Sequence, residues 1–165
     1  MEVVTAKECH AEIIHDLAQE IWWHTYKNIL PDDQIAFMLQ DMYAVTSIIE
    51  QMEEGDQFLL LRSEENFFGF VSFSESKETK VFRIHKLYIH PDFKGKGAGR
   101  FVIAYLSAIG LERGSQFLEL NVNRNNPAKD FYLKMGFSIY QSVDISYHRF
   151  ILNDYIMRKQ LNGII

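Results

Sequence analysis

Lys94-Gly95-Lys96-Gly97-Ala98-Gly99-Arg100 is the stretch of this 165-residue chain whose residue types and spacing most plainly suit chemistry. Three glycines at alternate positions let backbone N–H groups converge, because a residue without a Cβ adopts the left-handed conformations that turn successive amides to one side. Lys94, Lys96 and Arg100 add three full positive charges in a chain of net charge −5. The β-branched and aromatic run from Val81 to Ile89 reads as a buried strand that Pro91 ends, and from Phe101 onward apolar residues recur at helical spacing. Strand, glycine loop and helix together aim amides, cations and the positive end of a helix dipole at one point. That arrangement holds a pyrophosphate.

Spacing decides which pyrophosphate loops are excluded. The nucleoside-triphosphate loop needs G-x-x-x-x-G-K-[ST], which is absent. The dinucleotide fingerprint G-x-G-x-x-G starts well at Gly95 and Gly97 but meets Arg100 where its third glycine belongs, and Glu119, at the distance of a ribose-binding acid, falls inside a strand. What does fit is Lys94-x-x-Gly97-x-Gly99 between strand and helix. It resembles the acetyl-CoA motif of the GNAT N-acetyltransferase superfamily, in which Arg or Gln, two residues, Gly, one residue, and Gly or Ala follow one another; Lys94 keeps the cation. A second stretch, Asn125-Asn126-Pro127-Ala128-Lys129-Asp130-Phe131-Tyr132-Leu133-Lys134-Met135-Gly136-Phe137, resembles the family's N-x-x-A-x-x-[FL]-Y-x-x-x-G-F. Thr25-Tyr26-Lys27, Met42-Tyr43, Leu87-Tyr88-Ile89 and Phe131 to Phe137 are similar to bacterial Pai-type spermidine/spermine N-acetyltransferases.

The resemblance implies a single α/β domain over residues 1–165, with a mixed, mostly antiparallel sheet of six or seven strands and helices on both faces. It implies acetyl-CoA as donor, entering where the strand ending at Ile89 and the strand ending at Val122 splay apart. Backbone groups of Leu87, Tyr88 and Ile89 would hold the acetyl and pantetheine portion, and Lys94, Gly95, Lys96, Gly97, Ala98, Gly99 and Arg100 the pyrophosphate. Asn125 would hold the pantetheine arm; Asn126, immediately before Pro127, could instead be a helix cap, and which of the two contacts the cofactor stays open.

Amide formation from a thioester also needs a neutral amine and a proton for the leaving thiolate. Tyr132, at its motif position, is the expected general acid, since a phenol of pKa about 10 is protonated at neutral pH. Many relatives carry a glutamate as base on the strand before the loop, where this chain has Arg83 and His85. His85, with an ordinary pKa of about 6.5, suits proton removal near neutrality, and Glu119, Glu75 or water are the reserves. The implied reaction is direct transfer, in a ternary complex, to a primary amine of a small molecule, a polyamine being one candidate. A noncatalytic acetyl-CoA sensor and a protein lysine or N-terminal acetyltransferase are the alternatives.

Composition sets the frame for these residues. A chain of this length, 47% hydrophobic and 14% aromatic, buries a sizeable core in one domain. Cys9 is the single cysteine, which excludes an internal disulfide, and it is expected to pack inside. No tightly spaced histidine pair points to a metal. The acidic balance argues against nucleic acid, and the lack of a leader pattern or an 18-residue apolar run argues against a membrane, so a cytoplasmic protein is expected.

The elements that must position the site follow in order. Met1 to Val4 reads as a strand, Thr5-Ala6-Lys7-Glu8 as a capping box, and Ile13, Ile14, Leu17, Ile21 and Tyr26 as the apolar face of a first helix. Trp22 and Trp23 widen that face and read first as core, while by the family's use of its first helices some of Trp22, Trp23, His24 and Tyr26 are candidates for an acceptor wall. Pro31-Asp32-Asp33 starts a second helix, and Ser47-Ile48-Ile49-Glu50 is a capping box for a third that stops at Gly55. Asp32, Asp33, Asp41, Glu50, Glu53 and Glu54 read as a solvated face, with a site that attracts a polyamine as the alternative. Gln57–Arg62 and Phe67–Ser74 form a hairpin. Alternation in Val81–Ile89 sets Phe82, Ile84, Lys86 and Tyr88 on one side, and Arg83, His85, Leu87 and Ile89 on the other. Phe117–Val122 is a strand and Pro127–Met135 a helix. Phe137–Tyr140 and Ile145–Met157 are a closing antiparallel pair. That tyrosine-rich last strand could pair with a second copy as a homodimer or remain an exposed edge.

Overall fold

The computed structural model describes residues 1–162. Seven strands and five α-helices occur among them: β1 (Glu2–Thr5), α1 (Ala11–Tyr26), α2 (Asp32–Tyr43), α3 (Val45–Glu53), β2 (Gln57–Ser63), β3 (Asn66–Ser76), β4 (Val81–Ile89), α4 (Ala98–Glu112), β5 (Phe117–Asn123), α5 (Ala128–Lys134), β6 (Ser138–Tyr147) and β7 (Phe150–Gln160). The strands hydrogen-bond in the order β1-β2-β3-β4-β5-β7-β6. β4 and β5 run parallel, whereas β1–β2, β2–β3, β5–β7 and β6–β7 run antiparallel. The chain divides into two compact units, residues 1–74 with 86–99, and residues 75–85 with those from 100 onward.

In the first unit, α1 buries Ile14, Leu17, Ile21 and Trp22, α2 buries Ile35, Met38, Leu39 and Tyr43, and α3 buries Ile48. β2, paired on its two edges with β1 and β3, carries the unbroken apolar run Phe58-Leu59-Leu60-Leu61, whose side chains are buried on both faces of the sheet. Two capping boxes are corrected. Thr5 ends β1 instead of opening a helix; a short 3-10 turn starts after Lys7, whose N–H donates to His10 Nδ1 at 2.9 Å. α3 begins at Val45, two residues ahead of Ser47, because a single extended residue, Ala44 (ψ 146°), separates it from α2. Gly55, at φ +112°, stops α3 as expected. Cys9 is exposed, not packed inside. The six acids from Asp32 to Glu54 are exposed, as a solvated face requires.

In the second unit, β5 alternates, burying Leu118, Leu120 and Val122. α4 lies close on this side, since a Cβ on Gly110 would come within 2.9 Å of Leu161 Cδ1 and 3.5 Å of Phe82 Cδ2. The closing hairpin differs from the sequence expectation. β6 runs on to Tyr147, and the turn falls at His148-Arg149, with His148 at φ +51°. β7 therefore starts at Phe150 and lies between β5 and β6. β6 follows β7 at that end of the strand order, so the last strand itself has no open side for a second copy.

Candidate active site

β4 spans both units, its first five residues belonging to the second and its last four to the first. In the first unit, β3 presses against β4 beside the glycine loop. A Cβ on Gly69 would meet the Tyr88 carbonyl oxygen at 2.6 Å and Leu61 Cδ1 at 3.0 Å, so only glycine allows this approach. β3 holds the chain one residue past the strand's end as well: the Phe68 carbonyl accepts from His90 N–H at 2.7 Å. Beyond it, Phe93 stacks on Phe68 with ring centroids 4.3 Å apart and 13° between planes. Lys96 Nζ lies 5.2 Å from the Phe93 ring. The loop is thus anchored by an aromatic stack at its entrance.

Gly95 and Gly97 hold φ of +76° and +82°, and nothing lies within 4 Å of the place a Cβ would occupy on either. Their conformation is left-handed and the space beside them open, which fits backbone amides presented to an anion. Lys94, Lys96 and Arg100 are exposed. Gly99 differs from its expected role: α4 begins at Ala98, so Gly99 sits in the helix's first turn and contributes helix N-terminus, not loop.

The first unit also gathers aromatic rings around Tyr88. The Trp22 ring centroid lies 4.6 Å from that of Tyr26, 5.3 Å from that of Tyr43 and 5.7 Å from that of Tyr88. The Tyr26 and Tyr88 hydroxyls hydrogen-bond at 3.0 Å. Trp22, Tyr26 and Tyr43 are core residues, 3%, 9% and 0% exposed, and Tyr88 alone of this cluster is part-exposed, while Trp23 and His24 of α1 point to solvent. Trp22 Nε1 is buried with no hydrogen-bond partner.

The second unit carries the proposed acid–base residues. Tyr132 is 8% exposed, with its ring 5.3 Å from Phe131 and 5.6 Å from Phe137. His85 is exposed on β4. Asn126 is buried, and its Oδ1 accepts from Ala128 N–H at 2.9 Å, which makes it the capping residue of α5. Asn125 is exposed and its side chain is left for another role.

The reserve bases are engaged. Glu119 accepts from Arg83 at 2.6 Å through one oxygen and from Arg158 Nε at 2.5 Å through the other. Glu75 pairs with Arg113 at 3.9 Å. Both Glu119 oxygens are taken up by guanidinium donors and neither is left to face a substrate, so we expect Glu119→Gln to leave the pH profile of turnover unshifted. Because the Glu119 side chain is only 14% exposed, the same change should cost stability by about 1–3 kcal/mol, read by denaturant unfolding. Asp154, which sequence reasoning missed, accepts from Asn121 Nδ2 at 3.2 Å, and burial raises its pKa above the usual aspartate value. Its position in β7, opposite Asn123, comes from strand register, for which the sequence offers no signal.

Residues 15–137 match the acetyltransferase (GNAT) family model. The chain belongs to the GNAT family. Among the relatives of this GNAT protein, a spermidine N(1)-acetyltransferase from Thermoplasma acidophilum is 23% identical over 90% of each chain. A streptothricin acetyltransferase from Streptomyces lavendulae is 32% identical over 52% of this chain, which spans about half, 47%, of that relative's length. The crystal structure of a PaiA N-acetyltransferase from Thermoplasma acidophilum, in complex with coenzyme A, superposes with a TM-score of 0.80 at 22% identity, covering 97% of this chain and 99% of its own. The GNAT fold expected from the two motifs is the fold observed. Among the described residues no helix is long and apolar enough to cross a membrane, and no cluster of three His, Cys, Asp or Glu side chains gathers.

Proposed function

We propose that this GNAT protein transfers the acetyl group of acetyl-CoA to a primary amine of a small molecule, and that polyamines are its acceptor class. The observation that carries the reading is the loop after β4, where left-handed Gly95 and Gly97 face open space beside three exposed cations and the start of α4. Acetyl-CoA supplies an activated thioester to this site. Lys94, Lys96, Arg100 and the amides from Gly95 to Gly99 bind its pyrophosphate; backbone groups of Leu87, Tyr88 and Ile89 orient the acetyl end, and Asn125 the pantetheine arm. Tyr132 donates the proton that the departing thiolate takes up, and His85 accepts a proton from the acceptor's ammonium, directly or through water. Transfer is direct, from donor to amine, with both bound together.

The coenzyme A bound by the PaiA neighbour supports the donor assignment, and the spermidine acetyltransferase relative supports the acceptor class. Tyr88, the part-exposed ring that the buried rings of Trp22 and Tyr43 back, suits an alkylammonium chain, which aromatic rings attract through their faces. A panel of spermidine, spermine, short diamines, amino acids, streptothricin and a lysine peptide, each offered with acetyl-CoA, tests the reading. Acetylation of the polyamines with the highest kcat/KM is the expected result. Preference for the peptide or the antibiotic would overturn the acceptor class, and tight acetyl-CoA binding with no turnover on any amine would indicate a sensor.

A further inference from the structure

β4 carries a lysine where its neighbours are apolar. Lys86 shares a face with Tyr88 and is 6% exposed. Its Nζ donates to Gln51 Oε1 at 2.6 Å and sits 5.7 Å from the Tyr43 ring centroid and 5.6 Å from that of Phe58. Gln51, on α3, passes the bond on, its Nε2 donating to the Met42 carbonyl at 2.8 Å. An ammonium has no acceptor lone pair, so Lys86 dictates which end of the Gln51 amide faces it and which end reaches α2.

What the relay fixes is the end of α2. Met42 and Tyr43 are its last residues, and their carbonyls lack intrahelical partners. Gln51 Nε2 satisfies the first, and His15 Nδ1, from α1, lies 2.7 Å from the second. Ala44 then turns the chain abruptly into α3. Tyr43, at that junction, packs its ring on Trp22, Phe70 and Tyr88, with centroids at 5.3, 5.9 and 6.4 Å.

We propose that Lys86 is a positioning residue for the acceptor side of the transfer: through Gln51 and the end of α2, its ammonium holds the buried rings of Tyr43 and Trp22 that set the place of Tyr88, the part-exposed ring on which the amine is received. The assignment rests on the acetyltransferase reading above. Stability alone gives little reason for the lysine, because desolvating an ammonium costs more than one hydrogen bond to a neutral amide oxygen returns. Burial lowers the Lys86 pKa to about 8, opposed by the charge of Asp56 in the turn before β2. Of the side chains packed on Nζ, Gln51 of α3 and Phe58 of β2 are uncharged, and Tyr43 of α2 presents its ring. The cation is therefore kept at a cost, and the placed ring of Tyr88 is the return.

The test is Lys86→Met beside Gln51→Leu, with acetyl transfer to spermidine measured against both substrates. We expect Lys86→Met to fold, to keep its acetyl-CoA KM within about twofold, and to raise the acceptor KM about tenfold, with Gln51→Leu shifting the same constant in the same direction. A purely structural lysine would leave the acceptor KM of both variants unchanged, which overturns the proposal. Should Lys86→Met fail to fold, Gln51→Leu alone decides, since it keeps the lysine and cuts the relay. A readout independent of turnover separates this claim from the acetyltransferase reading. In a Trp23→Phe background, where Trp22 is the remaining indole, emission should change with a midpoint near pH 8, the value to which Lys86 is lowered. Lys86→Met should abolish that transition. If the protein acetylates no amine but the transition is present and lysine-dependent, the positioning link stands and the function assigned to it falls. If emission is flat through that range, the positioning link falls.

Discussion

Replacing Tyr132 by phenylalanine is expected to lower kcat for acetyl transfer by about 10²- to 10⁴-fold, the usual contribution of a positioned proton donor. The change deletes one oxygen and keeps the ring that packs on Phe131 and Phe137, so the fold should be retained. The acetyl-CoA KM should stay within about twofold, because a group that acts on the leaving thiolate stabilises the transition state and not the bound donor. Steady-state kinetics with calorimetric donor binding on the same preparation separates these terms. A variant with wild-type kcat would make Tyr132 a core residue only, with the thiolate leaving unaided or protonated by water.

The second large effect falls on donor binding. The double variant Gly95→Ala/Gly97→Ala adds two methyl groups to open space, since nothing lies within 4 Å of either position, so steric clash plays no part. The cost is conformational. Each alanine must hold the left-handed backbone seen at φ +76° and +82°, at about 1–2 kcal/mol per residue. In the free protein the loop relaxes away from that strain, and binding must then restore it. A loss of about 2–4 kcal/mol corresponds to roughly 30- to 1000-fold weaker acetyl-CoA binding. The melting temperature should change little, because the loop is exposed. Calorimetric titration with acetyl-CoA reads the affinity, and an unchanged value would remove the cradle from this loop.

Much of this geometry was legible in the residues because local rules agreed with one another. β4 occupies the stretch that its β-branched and aromatic run marked, from Val81 to Ile89, and Pro91 follows its end. α2 starts after Pro31 with Asp32 and Asp33 in its first turn, where the dipole favours them. The capping boxes at Thr5 and Ser47 misled because a four-residue pattern recurs by chance. The actual helix starts were set by a histidine ring beside Lys7 and by a one-residue break at Ala44. The closing hairpin was misplaced for a related reason. A strand run of isoleucine and tyrosine continues through Ile145 to Tyr147, and the turn is made by His148, whose left-handed backbone its residue type does not announce.

The site divides along the same line. Glycines, motif spacing and the cations around them were readable, as was the capping ambiguity at Asn125-Asn126, which the bond from Ala128 N–H to Asn126 resolves. Glu119 kept its standing as a reserve base until strand register brought Arg83 and Arg158 onto its two oxygens. Lys86 did leave a trace, a charge on the otherwise apolar face of Phe82, Ile84 and Tyr88. Its partners on α2 and α3 lie more than thirty residues away in sequence, so only the folded chain joins them.

The central claim is that acetyl passes from acetyl-CoA to an amine at this site, and the release of free coenzyme A thiol measured as a function of both substrates tests it most directly. Thiol release that requires both acetyl-CoA and spermidine, rises hyperbolically in each, gives intersecting double-reciprocal lines and matches the acetylspermidine formed is the result predicted for direct transfer. Thiol release no faster with amine than without it, at any concentration of either substrate, would contradict the account.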